Sequence, residues 1–564
     1  MASTAISEKS AWRSPPRLPD FWLWVLLPTA FVLGVIFFAP IVDLVLASLH
    51  EMAGPGQVST SFTLANYRNF LTDPFYFGIL LRTCWLGLLV VGCCLIVGYP
   101  VAYYLARTQS RWRGFLLFLT ISPLLISAVV RNMGWFPLLD QAGLVNWLLL
   151  EIGVVSSPLR LINNFTGVVI GLVHALLPFM ILTLTTVIQR IDIDLEEAAA
   201  SLGAGPWRVF WRVLLPLSLP GVVSGALIRL HHGHQRLHDA RNPRRQQSPG
   251  DGDLHCPTIP YRPQLSGGRN GGRHPAGFCG GAHRPGVASP DCGGHRLMTR
   301  WMALRVVVLA VFAFLLAPVI IVVIASFNGG PILSFPPEEF TLRWFEQIKP
   351  SFVDALYVSL IVATSTALLS IVFGIPAVLA LSRGNFPARD ALNSILLSPL
   401  MVPALVTGVA LYQFSLAFWD LTRISLGGTI TGLIIGHLTF GIPFAARAML
   451  AGHARFDYAL EEAALNLGAT PLQTFWRVTI PVLRPSIISG GIFAFVMSLD
   501  DVPIALFMGG GNATTLPVRI FTTIEFDFSG DVMAVAAVIV AVSVALMLLL
   551  DRLVGIEQLF GARY

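Results

Sequence analysis

Glu197-Ala198-Ala199, three residues, Gly203, nine residues and Val213-Leu214-Leu215-Pro216 decide the fold of this chain, because the same phrase is written twice. Glu462-Ala463-Ala464, three residues, Gly468, nine residues and Val478-Thr479-Ile480-Pro481 form the second copy. The Glu, the Gly and the final Pro of the copies all stand 265 residues apart. Both copies also hold an inner Pro (Pro206, Pro471) and the run Trp-Arg-Val that ends at Val213 and Val478. Short Glu-Ala-Ala strings arise by chance, but agreement at so many positions does not. The chain is an internal repeat.

Each copy reads as a helix, a turn and a second helix. Asp192, Asp194, Glu196 and Glu197 suit the positive end of a helix dipole, as do Asp457, Glu461 and Glu462. Gly203 and Gly468 can take the positive φ that ends a helix, while Pro206 and Pro471 open the next one. Pro216 and Pro481 mark the return toward the neighbouring hydrophobic segment. Such a knob is too small to bury its own faces, so it needs a partner, and two copies suggest a two-fold one.

The surroundings are apolar. Hydrophobic residues make up 55% and charged residues 12% of the 564 residues, and mean hydropathy is +0.71, which excludes an ordinary water-soluble protein. Phe21 to Leu49, Phe77 to Ala106, Thr166 to Ile188, Ala303 to Phe327, Ala355 to Leu381, Ala391 to Phe414, Thr429 to Ala446 and Val532 to Leu550 approach or exceed the roughly 20 residues that cross a bilayer. In lipid such segments must be helices. The first follows Lys9, Arg13 and Arg17 and is too long for a signal-peptide core, so it reads as a retained helix with a cytoplasmic N-terminus. Arg107, Arg111 and Arg113 in one half, and Arg383 and Arg389 in the other, place matching loops in the cytosol, together with both knobs. The repeats therefore run parallel. The net charge of +6 reflects this topology and not nucleic acid. Cys84, Cys93 and Cys94 lie in a span, so no disulfide framework is implied.

Residues 229–297 break the pattern: they hold eight of the twelve histidines, ten arginines and no lysine. In the second half, Ser489-Gly490-Gly491-Ile492-Phe493 continues as a membrane helix after Pro481. In the first half, Ser224-Gly225-Ala226-Leu227 starts the same helix, and then Arg229-Leu230-His231-His232 intervenes. Back-translated and read one base later, Ile228 to Arg241 permits F-V-F-I-M-A-I-S-A-F-M-T-P. A His codon shifted this way gives only Ile, Met or Thr. Leu297-Met298 written CTG-ATG holds a stop overlapping a start. The segment reads as an out-of-frame product that joins two formerly separate genes, with a disordered basic linker as the alternative. His255, Cys256, Cys279, His283, Cys292 and His295 show no Cys-x-x-Cys pair, so no metal site is assigned. Tyr261 and Phe278 are too few aromatics for nucleic-acid stacking.

The repeated phrase resembles the EAA loop of bacterial ABC importer permeases, the inner-membrane components of binding-protein-dependent transport. The resemblance covers about residues 1–228 and 298–564. It implies an all-α polytopic membrane protein of the bacterial inner membrane, made of two homologous permease modules in parallel repeat. Each module would have about six helices, the first truncated to about four, the short run Phe115 to Val130 counted among them. Residues 1–228 would be the first module, with its coupling loop at 189–216, and residues 298–564 the second, with its loop at 455–482. Glu197, Ala198, Ala199, Gly203 and Pro216, with Glu462, Ala463, Ala464, Gly468 and Pro481, would dock an ABC ATPase dimer. A periplasmic substrate-binding protein would deliver the cargo. The chain itself would be no enzyme, would have no catalytic residue and would bind no cofactor, the ATP and Mg being used by the ATPase. Independently of the resemblance, Lys9 and Lys349 are the only lysines and neither sits in a Gly-rich loop, so a Walker A site is missing.

Ser61 to Tyr67, Ser326 to Asn328 with Phe340 to Trp344, Ser498 to Pro503 and Thr515 to Ile520 are similar to the spermidine/putrescine permeases, which implies a polyamine cargo. Iron(III), thiamine or phosphonate import is the alternative within the class, and an ion-driven carrier with inverted repeats the alternative outside it. Asp500 and Asp501 fall late in an apolar run, where acids are costly unless they face a cavity or a partner. They are candidates for the substrate path, the other reading being a structural cap or an ion pair with Arg519. Trp135 is a further candidate for a cation–π face. His174 and His437, in matching spans, read as interhelical hydrogen-bonding groups.

Overall fold

With no water to hydrogen-bond in hydrocarbon, the apolar runs close their backbone bonds internally and become helices. The computed structural model describes residues 19–54, 57–218, 291–330, 339–386, 388–526 and 529–554. Among these, nine helices are long and apolar enough to cross a membrane. They are α1 (Phe21–Ser48), α2 (Pro74–Arg107), α5 (Phe165–Gln189), α7 (Leu304–Ala325), α8 (Pro350–Arg383), α10 (Ala404–Thr422), α11 (Ile430–His453), α13 (Pro471–Leu499) and α16 (Gly530–Leu548). Shorter helices lie between them: α3 (Arg113–Leu125), α4 (Ala128–Met133), α6 (Ile193–Ser201), α9 (Arg389–Leu397), α12 (Ala459–Asn466), α14 (Pro503–Met508) and α15 (Leu516–Phe526). A small antiparallel hairpin, His50–Gly54 with Gln57–Phe62, comes after α1. Most of residues 229–297 lie outside the described residues; 291–297 are helical and lead into α7. Contacts divide the chain into two compact units, Met1–Arg190 with Val308–Tyr564, and Ile191–Val307.

Two expected spans are corrected. The run Phe115 to Val130 is no straight crossing: α3 ends at Leu125, and the arm from Ala128 to Glu151 turns away by 96°. Pro123 has no N–H to give the Leu119 carbonyl, and the Ser122 hydroxyl donates to that carbonyl instead at 3.0 Å. The second copy repeats the device, with Ser398 donating to the Ile395 carbonyl at 2.8 Å beside Pro399. There Pro399 and Pro403 end the helical run early, so the span expected over Ala391 to Phe414 is shifted to Ala404–Thr422.

The structural repeat reaches well beyond the knobs. Arg113 Nε donates to the Leu105 carbonyl, and Arg389 Nε to the Leu381 carbonyl, 276 residues on. Asn164 caps α5 at Gly167 N–H, as Thr429 caps α11 at Gly432 N–H, 265 residues on. The first copy is therefore eleven residues longer between these points, in the stretch that holds the bent arm.

Within the first unit the modules exchange their leading helices. α1 of the first module packs on α8 of the second, where Thr29 donates to the Phe373 carbonyl at 2.6 Å. α7 of the second module lies against the first, where the His174 ring meets the Leu315 carbonyl at 3.0 Å. Ile126, Val129 and Met133 share one buried cluster with Val319, Val322, Phe352 and Ile520, so apolar burial is continuous across the repeat boundary. A Cβ on Gly134 would stand 2.1 Å from the Pro318 carbonyl oxygen, so only glycine admits α7 this closely. Gly134→Ala should therefore destabilise the detergent-solubilised chain by about 1–3 kcal/mol, as overpacking does. An unchanged thermal midpoint would contradict that contact.

Candidate functional site

Each knob is built by backbone chemistry that the sequence dictates. In the first, Asp192 accepts from the Asp194 N–H at 3.1 Å and opens α6, with Asp194 and Glu196 in its first turn. Gly203 takes φ of +81°, and its N–H donates to the Ala200 carbonyl at 2.9 Å. The Ala204 N–H reaches the Ala199 carbonyl at 3.0 Å. This paired pattern is the Schellman close of a helix. In the second knob, Asp457 accepts from the Ala459 N–H at 3.0 Å, and Glu461 and Glu462 occupy the first turn of α12. Gly468 takes φ of +88°, with bonds from Gly468 to Leu465 at 3.0 Å and from Ala469 to Ala464 at 3.1 Å. No atom lies within 4 Å of a Cβ placed on either glycine, so the backbone angle alone selects the residue.

Pro206 and Pro471 stand at the first position of the next helices. A π-helical turn comes after them in both copies, Phe210–Leu214 and Phe475–Thr479. It precedes Pro216 and Pro481, whose missing N–H and bulky ring a regular turn accommodates poorly. Pro481 therefore sits inside the continuous helix α13, just past a widened turn, on the return toward the membrane.

Exposure matches residue for residue from Glu196 to Pro216 and from Glu461 to Pro481. Leu202 and Leu467 are each 89% exposed at the tip, and Trp211 and Trp476 are exposed behind them. Glu197 and Glu462 face outward as well. Each knob thus presents an apolar tip beside an acidic helix start, a surface suited to a concave partner.

The candidates for the substrate path lie in different surroundings. Both carboxylate oxygens of Asp500 accept from the Ala128 N–H, at 2.9 and 3.1 Å, so this acid of the second module bonds the first module at its broken span. Arg131, from the same arm, donates to the Pro123 carbonyl. Asp501 accepts from the Ala505 N–H at 2.9 Å at the start of α14, and lies 3.5 Å from His437 Nε2. His437 Nδ1 is 2.7 Å from the Ser498 hydroxyl. Trp135 packs edge-on against His174 and beside Phe314. His174 and His437 are not equivalents, since the 265-residue offset sets Thr439 opposite His174.

The three candidates do not form one cluster. Asp500 alone among them lines a cavity of about 140 Å³ between α8, α13, α15 and α16, where Ser127, Asp500 and Ser543 are the only polar side chains. Among the described residues no ion pair joins Arg519 to either acid. Sequence reasoning missed the reach of Asp500 to Ala128 and the ion pair of Glu461 with Arg383 at 2.6 Å. The repeated Ser-Pro pairs at 122–123 and 398–399 were the available sign of a broken span.

Residues 95–233 and 370–556 both match the family described as the binding-protein-dependent transport system inner membrane component, together more than half of the chain. The spermidine/putrescine transport system permease protein PotB of Haemophilus influenzae is 35% identical over 198 residues, which are 35% of this chain and 69% of that protein. PotB of Escherichia coli K12 is 36% identical over 206 residues, covering 36% and 70%. The putrescine transport system permease protein PotI of the same organism is 32% identical over 244 residues, covering 42% and 85%. A solved chain of a bacterial ABC transporter involved in alginate import reaches a TM-score of only 0.35 at 17% identity, over 47% of this chain and 97% of that one. The twofold match, the repeated helices and the paired knobs agree: the chain belongs to the binding-protein-dependent transport system inner membrane components.

Proposed function

We propose that this chain is the membrane pathway of an ABC importer for polyamines, driven through its two knobs by a separate ATPase dimer. The carrying observation is the pair of knobs with the same glycine-closed helix ends, closely similar glycine angles and equally exposed leucine tips. A symmetric partner needs two like surfaces, and these are two like surfaces on one chain. ATP and Mg are used by that ATPase, and a periplasmic binding protein delivers the cargo to the opposite face. The N-terminus and both knobs lie in the cytosol. The polyamine assignment is supported by PotB and PotI, named for spermidine and putrescine transport. Asp500 gives the one lining carboxylate of the cavity beside α8 and α13, a contact for a cationic cargo on its way.

The first module is incomplete, in this reading, because residues 229–297 are out-of-frame sequence. The first family match stops at residue 233, while the second runs to 556, far beyond the equivalent position. Val168 and Leu172 on α5 stand 48% and 38% exposed, whereas their counterparts Leu433 and His437 on α11 are fully covered. Residues C-terminal to the second knob supply that cover: Ser498 bonds His437, and Ile504 and Met508 pack with Leu433.

Binding of the purified ATPase subunit tests the knobs. Gly203→Ala with Gly468→Ala forces an L-residue into the left-handed region, costing about 1–2 kcal/mol at each knob. Combined with Glu197→Lys and Glu462→Lys, it should abolish capture of the ATPase by the detergent-solubilised chain, and capture at full affinity would end this reading. For the frame, uptake of radiolabelled spermidine is compared between the 564-residue chain and one with the frame restored at Ile228 and a separate start at Met298. Restoration should recover most of the uptake, and equal uptake by both forms refutes the out-of-frame assignment.

A further inference from the structure

The coupling helix α12 is only eight residues long, and six of its residues are exposed. Glu461 and Ala464, one turn apart on a single face, are its only partly buried residues. Alanine gives no directional contact, so the hold on this helix falls to Glu461. Its carboxylate is 2.6 Å from Arg383 Nη2, with the two side chains only 14% and 19% exposed. The Thr479 hydroxyl donates to the same carboxylate oxygen.

Those two partners belong to different membrane helices. Arg383 is the last residue of α8, and Thr479 sits in the widened turn of α13. The Arg383 guanidinium also lies 5.9 Å over the ring of Trp22, on the exchanged first helix of the other module. Thr29 fastens that helix to α8 two turns further on. One carboxylate thus gathers α12, α8, α13 and, through Arg383, α1. Solvent screening weakens exposed ion pairs to near nothing, but a part-buried, hydrogen-bonded pair keeps its strength and its geometry.

We propose that the Arg383–Glu461 pair is the positioning link by which the second knob moves as one piece with the membrane helices α8, α13 and α1. It rests on the reading of the knob as an ATPase grip, and it assigns Glu461 a role distinct from the outward-facing Glu462. Glu462 meets the partner, and Glu461 carries the displacement inward. In the first copy Arg107 and Glu196 hold the matching positions, while Leu214 replaces Thr479 and removes the third group.

The test uses the full chain in lipid nanodiscs with its ATPase subunit, in the 564-residue and frame-restored forms. Glu461→Gln and Arg383→Gln should leave ATPase capture within about twofold of the parent chain, but speed amide exchange across residues 459–466 about tenfold, the order expected for losing a charged hydrogen bond. In the frame-restored form, cargo moved per ATP should fall by a similar factor. The reciprocal exchange R383E with E461R should recover both readings. Asp420→Asn, which breaks an exposed pair with Arg423 at 3.9 Å, is the control and should change neither. If Glu461→Gln weakens ATPase capture as Glu462→Gln does, Glu461 is a docking residue and the proposal is overturned. Unchanged exchange and unchanged coupling overturn it as well. Failure of the parent chain to capture any ATPase sinks the importer reading instead, and amide exchange still decides whether the pair holds the helix.

Discussion

An unpaired backbone amide or carbonyl in hydrocarbon costs several kcal/mol, and most of this architecture comes from avoiding that cost. Nine long helices among the described residues answer it directly. The informative places are those where the helix stops. At the end of α3 the Leu119 carbonyl takes the Ser122 hydroxyl, the Pro123 carbonyl takes Arg131, and the Ala128 N–H takes Asp500. Three groups freed by one bend thus find three side-chain partners. The third comes from the other module, so the bend is fully satisfied only where the modules meet.

That dependence runs in both directions. α1 lies against the second module at Phe373, and α7 lies against the first at His174 and Gly134. Neither module can keep its leading helix covered alone. Packed and hydrogen-bonded contacts with little slack therefore join α8 to α1 and α5 to α7, helices that belong to different repeats.

The knobs were legible in the sequence because their signals are local and conformational. Glycine reports a positive φ, proline reports a helix start, and acids near an N-terminus report a dipole. Hydropathy placed most spans to within a few residues for the same reason. It misplaced Ala391 to Phe414, where apolarity continues across Pro399 and Pro403 although the helix does not. It could not show the exchange of leading helices, since apolar periodicity fixes a face and leaves the neighbour open. Nor could it join Arg383 to Glu461, whose 78-residue separation carries no spacing rule. Asp500 and Asp501 looked like a pair, yet a turn between helices sends one to Ala128 and the other to Ala505.

The two knobs agree on the outside and differ beneath it. From Glu196 and Glu461 onward their exposure is the same at every position, including both 89% exposed leucines. The buried residues are not alike: Leu214 stands where Thr479 does, and Ile188 where His453 meets Ser382. A partner with two like faces constrains only what it touches, so it would keep alike the exposed Glu197 and Glu462, Leu202 and Leu467, and Trp211 and Trp476. Beneath the second knob, Glu461 must meet the Arg383 guanidinium instead.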